Sequence, residues 1–457
     1  MLAGSKDTGG RRSGSHTARD LASLARPAAP IALAGIVNLA MAITDALLMA
    51  DLDPRALTAG VVIGDIFSIT IQFAAGALGA AAAPVASAVA AGDMRRAGRG
   101  IADGLKIGLV LAVVGAAVIG FAPAALLALG VHLPLPAVAA EYAGYIAATY
   151  AVMMVVALAR SVFPAFGAST VVLGVMIAAV PLNLVADLAL MHGWWGAPAM
   201  GLAGAGAASL LVATAMACTL LAYLWATPRL KAAGIWRHAF RLGPEIVSPA
   251  LARAALFTGA TALCETGVYL SSTVIVAYVA IDSIPAHILV FRTLALTYVI
   301  GTGFGQALTI QLARRMALAE DTASLMCAAV TGMLVLAAAF LAVMLALPGA
   351  AAALGMDVGT VARLSPWAGV AACNLVPAVV AFGILKARAD VARPSLISLT
   401  GYWGVGFSLI VVLSGPFDLG AMGVWTGLAG GTTVAATGLW LYLLRREAIH
   451  RPSLRTV

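Results

Sequence analysis

The chain has 457 residues, of which 62% are hydrophobic and only 10% charged, and its mean hydropathy is +1.01. A soluble domain is nearer half apolar and a quarter charged, so a water-soluble globular fold is excluded. The formal charge of +8 sits in short basic clusters between apolar blocks, which argues against a nucleic-acid partner and favours anionic lipid headgroups.

The apolar residues form blocks of about 20 to 28 residues, the length that a helix needs to cross roughly 30 Å of hydrocarbon. Residues 1–26 are polar, and no short apolar region with a cleavage site precedes the first block. We therefore expect a disordered cytoplasmic tail there and no cleaved signal peptide. We predict an all-α integral membrane protein with twelve transmembrane helices, at 27–50, 57–83, 103–130, 137–159, 169–192, 200–226, 249–280, 285–311, 324–347, 362–385, 395–414 and 421–444.

Lysine and arginine are divided unequally between the two sides of this predicted protein. Of the 27 basic residues, 24 fall on the side that carries both termini, which we call the basic face. Arg55 and Arg363 fall on the opposite face, and Arg292 lies within a span. Because cytoplasmic segments are enriched in Lys and Arg, we predict a multi-pass protein of the plasma membrane with both termini in the cytoplasm.

The sequence repeats itself at an offset of about 220 residues. Asp45 of the first span corresponds to Glu265 of the seventh, and Ala199-Met200-Gly201 recurs as Ala421-Met422-Gly423. Two six-helix halves of the same polarity are a known transporter plan, with the substrate site between them. We predict a cytoplasmic tail at 1–26, an N-lobe at 27–226, a cytoplasmic linker at 227–248, a C-lobe at 249–444 and a cytoplasmic tail at 445–457.

Polar side chains inside the first-half spans are candidates for an ion site, because a charge in a span costs roughly 2.5–3.5 kcal/mol on insertion scales. Asn183 and Asp187 share a helix face, and Pro181 beside them can bend the helix and expose carbonyl oxygens. Asp45 lies two helical turns from Asn38 on one face of the first span. These groups suit a proton or a hard cation. Alternatively, Asp45 lies in the headgroup layer and the Asn183–Asp187 pair only joins helices.

The second half offers fewer ionisable groups. Arg292 is the one charged residue of the eighth span and the nearest candidate partner of Glu265. Glu265 either forms a structural ion pair with Arg292 or contributes to substrate binding or coupling. Asp65 in the second span either belongs to such a site or lies near the interface, and we interpret His287 as a hydrogen-bonded span residue. No Lys precedes a Ser or Thr, so a Walker A loop and a single-chain ATP-driven pump are excluded.

Short motifs spread over residues 25–445 resemble the multidrug and toxic compound extrusion (MATE) family in their order and spacing. These motifs are Ile43–Met49, Gly92-Asp93, Arg160-Ser161, Pro181-Leu182-Asn183 with Asp187, Gly196-Ala197-Pro198, Gly201–Gly206, Ala286-His287, Arg393-Pro394 and Gly423–Gly427. The resemblance implies two six-helix lobes that form a V-shaped cleft. It also implies exchange of protons or sodium ions for small organic, often cationic, compounds.

The resemblance further implies one pocket in the N-lobe, formed by Asp45, Asn183, Asp187 and Ser209. The sequence departs from the family pattern at two places. Ser87 stands where the family often has Gln, and the stretch Cys373–Pro377 lacks the acid that many members carry in the tenth span. We therefore expect ion coupling to reside in the first lobe, with Glu265 tuning substrate affinity or lobe closure.

These observations predict a secondary active antiporter that exports small organic drugs or metabolites in exchange for protons. Sodium held by Asp45, Asn183 and Asp187 is the alternative coupling ion, and we expect no other metal and no cofactor. Small organic substrates and membrane lipids are the expected partners of a monomer. The alternative function is a flippase for lipid-linked substrates. Such a flippase tends to need several basic residues in its central cavity, where this sequence offers only Arg292. No HExxH, paired His/Asp cluster or Ser/His/Asp set lies in the spans, so we predict no enzymatic activity.

Overall fold

The computed structural model describes residues 9–450 except 53, 131, 132, 134, 229, 230, 232, 233 and 235–246. Throughout these residues the secondary structure is helical, and no β-strand occurs among them. Eleven helices in the described part of the chain are long and apolar enough to cross a membrane. This result confirms the prediction of an all-α membrane protein, since only helices and closed barrels satisfy the backbone in lipid.

The described residues of the first half form seven α-helices. They are α1 (Gly9–Leu52), α2 (Pro54–Gly79), α3 (Ala82–Ala90), α4 (Met94–Ala128), α5 (Pro136–Val162), α6 (Ser169–His192) and α7 (Leu202–Ala226). Helices α2 and α3 continue one another across a turn and together form one candidate span, Ala59–Ala90. Helix α4 begins nine residues before the predicted span because the Asp93 carboxylate accepts a hydrogen bond from the backbone N–H of Arg96 at 2.9 Å.

In the second half, the part of the chain that the structure describes contains seven further α-helices and one π-helix. They are α8 (Pro249–Val279), α9 (Ile284–Ala317), α10 (Ala323–Ala353), α11 (Val358–Ala387), α12 (Ala392–Leu399), the π-helix Thr400–Phe407, α13 (Ser408–Ser414) and α14 (Gly420–His450). Helix α8 coincides with the predicted seventh span. Its 31 residues extend about 46 Å, enough to cross the bilayer, although α8 is not among the eleven candidates above.

We expected a disordered tail at residues 1–26. This expectation is wrong for residues 9–26, because helix α1 begins at Gly9. Leu24 has no exposed surface and lies in a hydrophobic core with residues of the second half. Asp20 forms an ion pair with Arg315 at the end of α9, and Arg315 also donates to Ser324 Oγ at 3.2 Å. Tertiary contacts therefore order a polar segment whose composition alone suggests a tail.

The chain forms two compact units whose boundaries fall inside helices. The N-unit comprises residues 33–267, and the C-unit comprises residues 9–32 together with 268–450. Within the N-unit, a Cβ on Gly76 of α2 would lie 2.6 Å from the carbonyl oxygen of Thr258, so α2 and the first half of α8 touch through backbone. Within the C-unit, a Cβ on Gly303 would lie 2.9 Å from the backbone nitrogen of Ala32. Small residues permit both close helix crossings.

The predicted orientation can be tested with two exposed alanines at helix ends, Ala91 on the basic face and Ala353 on the opposite face. In a variant that lacks the four native cysteines, Ala353→Cys should react with an impermeant maleimide in intact cells. Ala91→Cys should react only after the cells are permeabilised, because a charged reagent does not cross the bilayer. Rapid labelling of Ala91→Cys in intact cells would contradict the orientation.

Candidate functional site

Three predicted site residues lie together in the N-unit. The Asp45 carboxyl group on α1 lies close to the Asp187 and Asn183 side chains on α6 and interacts with both. Asn183 Nδ2 donates to Asp187 Oδ2 at 2.6 Å, as the four-residue spacing on a helix permits. Asn183 is 2% exposed and Asp187 is fully buried. Helical spacing alone paired Asn183 with Asp187 in the sequence, whereas only the family resemblance implied a place beside them for Asp45, which lies on a helix about 140 residues away.

The hydrogen-bond acceptors of the Asp45–Asp187 pair determine what the pair can bind. An ionised carboxylate only accepts hydrogen bonds, so two carboxyl groups within reach of each other need a shared proton or a bound cation between them. Asp45 Oδ1 and Asp187 Oδ1 are buried, and neither atom has a hydrogen-bond partner among the described residues. Buried acceptors of this kind are normally satisfied. The pair therefore has the acceptor capacity to take up a proton or a small hard cation.

Tyr142 of α5 lies near the carboxyl pair, although no sequence pattern pointed to it. Its side chain is 4% exposed and close enough to Asp45 and Asp187 to interact electrostatically with both carboxyl groups. Its placement depends on Gly206 of α7, where a Cβ would lie 3.0 Å from the Tyr142 ring. A tyrosine inside an apolar block has no distinguishing spacing, so only the packing of α5 against α7 identifies it.

Close packing between α6 and α7 fixes the position of the carboxyl pair. Met200 and Gly201 donate backbone hydrogen bonds to the carbonyl oxygens of Leu190 and Met191 at 2.8 and 3.2 Å. A Cβ on Gly204 would lie only 2.2 Å from the Leu190 oxygen, so the two helices are in backbone contact three residues beyond Asp187. The glycine-rich stretch that begins α7 thus determines how α6 presents its polar face.

Among the described side chains, no other predicted site residue joins this cluster. Ser209 is half-buried on α7, and no hydrogen bond among the described residues joins it to the carboxyl pair, so its role stays a prediction. Asp65 is exposed on α2. The side chain of Asn38 lies outside the described residues. Glu265 and Arg292 belong to different compact units, and their ion pair also stays a prediction.

The C-unit contains neutral polar networks of its own. Asn374, in the stretch without the family's tenth-span acid, donates through Nδ2 to Thr433 Oγ1 at 2.8 Å. His287 is fully buried and accepts at Nδ1 from Trp425 Nε1 at 3.2 Å, while its Nε2 lies 3.0 Å from Thr273 Oγ1. Because an indole N–H only donates, these contacts specify the neutral imidazole with its hydrogen on Nε2. The interpretation of His287 as a hydrogen-bonded span residue is confirmed.

Comparisons with known proteins agree with this architecture. The sequence model of the MatE family matches residues 30–188, which include Asp45, Tyr142, Asn183 and Asp187. The "Probable multidrug resistance protein NorM" of Burkholderia mallei is 28% identical over 452 residues, which cover 94% of each chain. The protein of the same name from Deinococcus radiodurans is 29% identical over 457 residues, covering 94% of this chain and 97% of the relative.

Two solved structures share the fold at low sequence identity. The crystal structure of the eukaryotic MATE transporter AtDTX14 superimposes with a TM-score of 0.79 at 14% identity, covering 94% of this chain and 96% of that one. The crystal structure of MATE in the bent conformation gives a TM-score of 0.80 at 18% identity, covering 98% and 100%. The fold is therefore that of these transporters over nearly the whole chain.

Proposed function

Because this chain belongs to the multidrug and toxic compound extrusion (MATE) family, we propose that it is a secondary active antiporter that exports small organic compounds, often cationic, in exchange for protons. Sodium is the alternative coupling ion. Relatives that align along almost the whole chain are described as multidrug resistance proteins, which supports small organic substrates and export. The proposed location is the plasma membrane, with both termini in the cytoplasm.

The buried Asp45–Asp187 pair carries the proposal for the coupling ion. With one shared proton, the pair holds a single negative charge and satisfies both carboxyl groups. Uptake of a second proton neutralises the pair, and the loss of that proton restores the charge. The hydrogen bond that Asn183 donates to Asp187 helps to stabilise the remaining charge. A site of this kind can load a proton on one side of the membrane and release it on the other.

The net charge of the Asp45–Asp187 pair also links the coupling ion to the substrate. A cationic substrate is favoured while the site is negative, and a proton on the site removes that attraction. Moving one charge down 100 mV supplies about 2.3 kcal/mol, which corresponds to nearly two decades of substrate gradient. One proton per cycle would therefore support substantial export of a neutral compound, whereas exchange of one proton for a singly charged cation moves no net charge and is driven by the pH gradient alone.

Transport into vesicles tests this proposal. The purified protein is reconstituted, and uptake of a fluorescent organic cation is followed while a pH gradient or a sodium gradient is imposed separately. We expect an acidic lumen to drive accumulation several-fold above equilibrium, and a protonophore to collapse it. Accumulation that follows the sodium gradient alone would identify sodium as the coupling ion. Equilibration without response to either gradient would contradict antiport.

A further inference from the structure

Helix α1 begins in the compact unit that holds most of the second half of the chain. Its residues 9–32 belong to the C-unit, whereas residues 33–52 belong to the N-unit together with Asp45. Helix α8, the counterpart of α1 in the sequence repeat, is divided in the opposite sense, with 249–267 in the N-unit and 268–279 in the C-unit. Both units therefore hold each of these two helices, and a movement of either unit must act on the contacts that hold them.

An ion pair fastens the start of α1 to the C-unit. The Arg315 guanidinium at the end of α9 donates to both carboxylate oxygens of Asp20, and the two side chains are 18% and 15% exposed. Arg315 Nη1 also donates to Ser324 Oγ and to the carbonyl oxygen of Asp321, each at 3.2 Å. A two-point contact between guanidinium and carboxylate is stronger and more directional than a neutral hydrogen bond. Arg315 thus joins α1 to the turn between α9 and α10.

Apolar packing continues the contact along α1. Leu24 has no exposed surface, and a Cβ on Gly332 of α10 would lie 3.2 Å from Leu21 Cδ1. At the far end of the contact, the backbone of Ala32 lies against Gly303 of α9, where small residues allow the close approach. The docked part of α1 therefore has an apolar surface against α9 and α10 and one charged end at the basic face.

Both charges of the ion pair remain satisfied when the pair breaks. Arg315 keeps the Ser324 hydroxyl and the Asp321 carbonyl oxygen as acceptors, because both belong to its own turn of the C-unit. Asp20 is already 15% exposed, so water can hydrate its carboxylate as it leaves. Breaking a fully buried pair would instead leave an uncompensated charge. The Asp20–Arg315 pair can therefore open and close reversibly.

We propose that Asp20 and Arg315 form a latch that holds the first part of α1 on the C-unit and opens once in each transport cycle. This inference rests on the proposed antiport, because a protein that alternates between two states needs a releasable contact on a helix shared by both units. The repeat-related helix α8 has a polar contact at its own start, where the Asp103 carboxylate accepts a hydrogen bond from the Ser248 backbone N–H at 3.2 Å within the N-unit.

A second ion pair on the basic face serves as a reference. Arg388 Nη2 donates to Glu447 Oε1 at 3.0 Å and joins the end of α11 to α14. Both of these helices lie wholly within the C-unit. No part of this contact has to follow the N-unit, so we expect it to stay closed throughout the cycle. The two ion pairs therefore give opposite predictions for the same experiment.

Reversible cross-linking in reconstituted vesicles tests the latch. In a variant that lacks the four native cysteines, Asp20→Cys and Arg315→Cys are joined by a short bis-methanethiosulfonate reagent. We expect cross-linking to lower gradient-driven uptake of a fluorescent organic cation at least tenfold, and reduction to restore it. Cross-linking of Arg388→Cys with Glu447→Cys, the matched control, should change uptake less than twofold. Full uptake by the cross-linked Asp20→Cys/Arg315→Cys protein would overturn the latch, whereas wild-type vesicles that respond to neither ion gradient would overturn the antiport instead.

Thiol labelling of α1 is a second measurement that does not depend on the cysteine pairs. Leu24 is fully buried in the C-unit, and Ala25 beside it is exposed. N-ethylmaleimide should label Leu24→Cys at least threefold faster during driven transport than at rest, and Arg315→Gln should raise the resting rate severalfold because the latch is lost. Ala25→Cys should react at one rate in all conditions, and Arg388→Gln should leave Leu24→Cys protected. A labelling rate of Leu24→Cys that neither transport nor Arg315→Gln changes would mean that α1 stays docked, and would overturn the proposal.

Discussion

Asp187→Asn should abolish the response of transport to an imposed ion gradient while leaving substrate exchange in place. The amide is nearly the size of the carboxyl group and can still accept from Asn183, so the α6–α7 packing is retained. It cannot ionise, and the shared proton of the Asp45–Asp187 pair is lost. We expect gradient-driven uptake to fall at least tenfold and counterflow between labelled and unlabelled substrate to stay within about threefold of wild type. The two rates are measured in the same vesicle preparation.

Three further variants distinguish a coupling defect from a folding defect and test whether coupling depends on the second half of the chain. Asp45→Asn should give the same loss at near-normal abundance, because the neutral amide is cheaper to bury than a carboxylate. The double variant should be no worse than either single one, since both remove the same pair. Glu265→Gln should keep the gradient response with a shifted apparent substrate affinity. If Glu265→Gln alone abolished the response while Asp187→Asn kept it, the coupling site would lie in the second half.

Gly204→Ala should destabilise the protein and weaken transport, although it adds only one methyl group. The new Cβ would lie 2.2 Å from the Leu190 oxygen and 2.8 Å from the Met191 nitrogen. Both are backbone atoms, so α6 and α7 must separate. Overpacking of this kind costs about 1–3 kcal/mol of unfolding free energy. The measurement is the thermal melting temperature in detergent, together with gradient-driven uptake.

Gly174→Ala is the control for this prediction. Gly174 lies in α6, and a Cβ there would meet no atom within 4 Å. Alanine is favoured over glycine in a helix by roughly 0.5–1 kcal/mol, so this variant should be as stable as wild type or slightly more stable. Equal melting temperatures for the two variants would show that the α6–α7 contact does not limit stability.

The amino-acid sequence by itself determined the fold class and the position of most spans. Each apolar block must become a helix in the bilayer, because no water is available to satisfy its backbone groups. The fifth span was predicted at 169–192, which are the limits of α6. The sequence also paired Asn183 with Asp187, since four-residue spacing on a helix is a local property. Local periodicity and solvent preference are sufficient for these features.

Only the tertiary structure decided which helices meet. Asp45 lies near Asp187, and Tyr142 lies near both, while glycine positions such as Gly204 and Gly206 allow α7 to pack closely on α6 and α5. Likewise, the polar segment at 9–26 is helical because Leu24 and Asp20 find partners in the second half of the chain. The pairs Asp45–Asp187 and Asp20–Arg315 each join residues more than a hundred positions apart. They depend on the register and rotation of packed helices, which no local sequence pattern encodes.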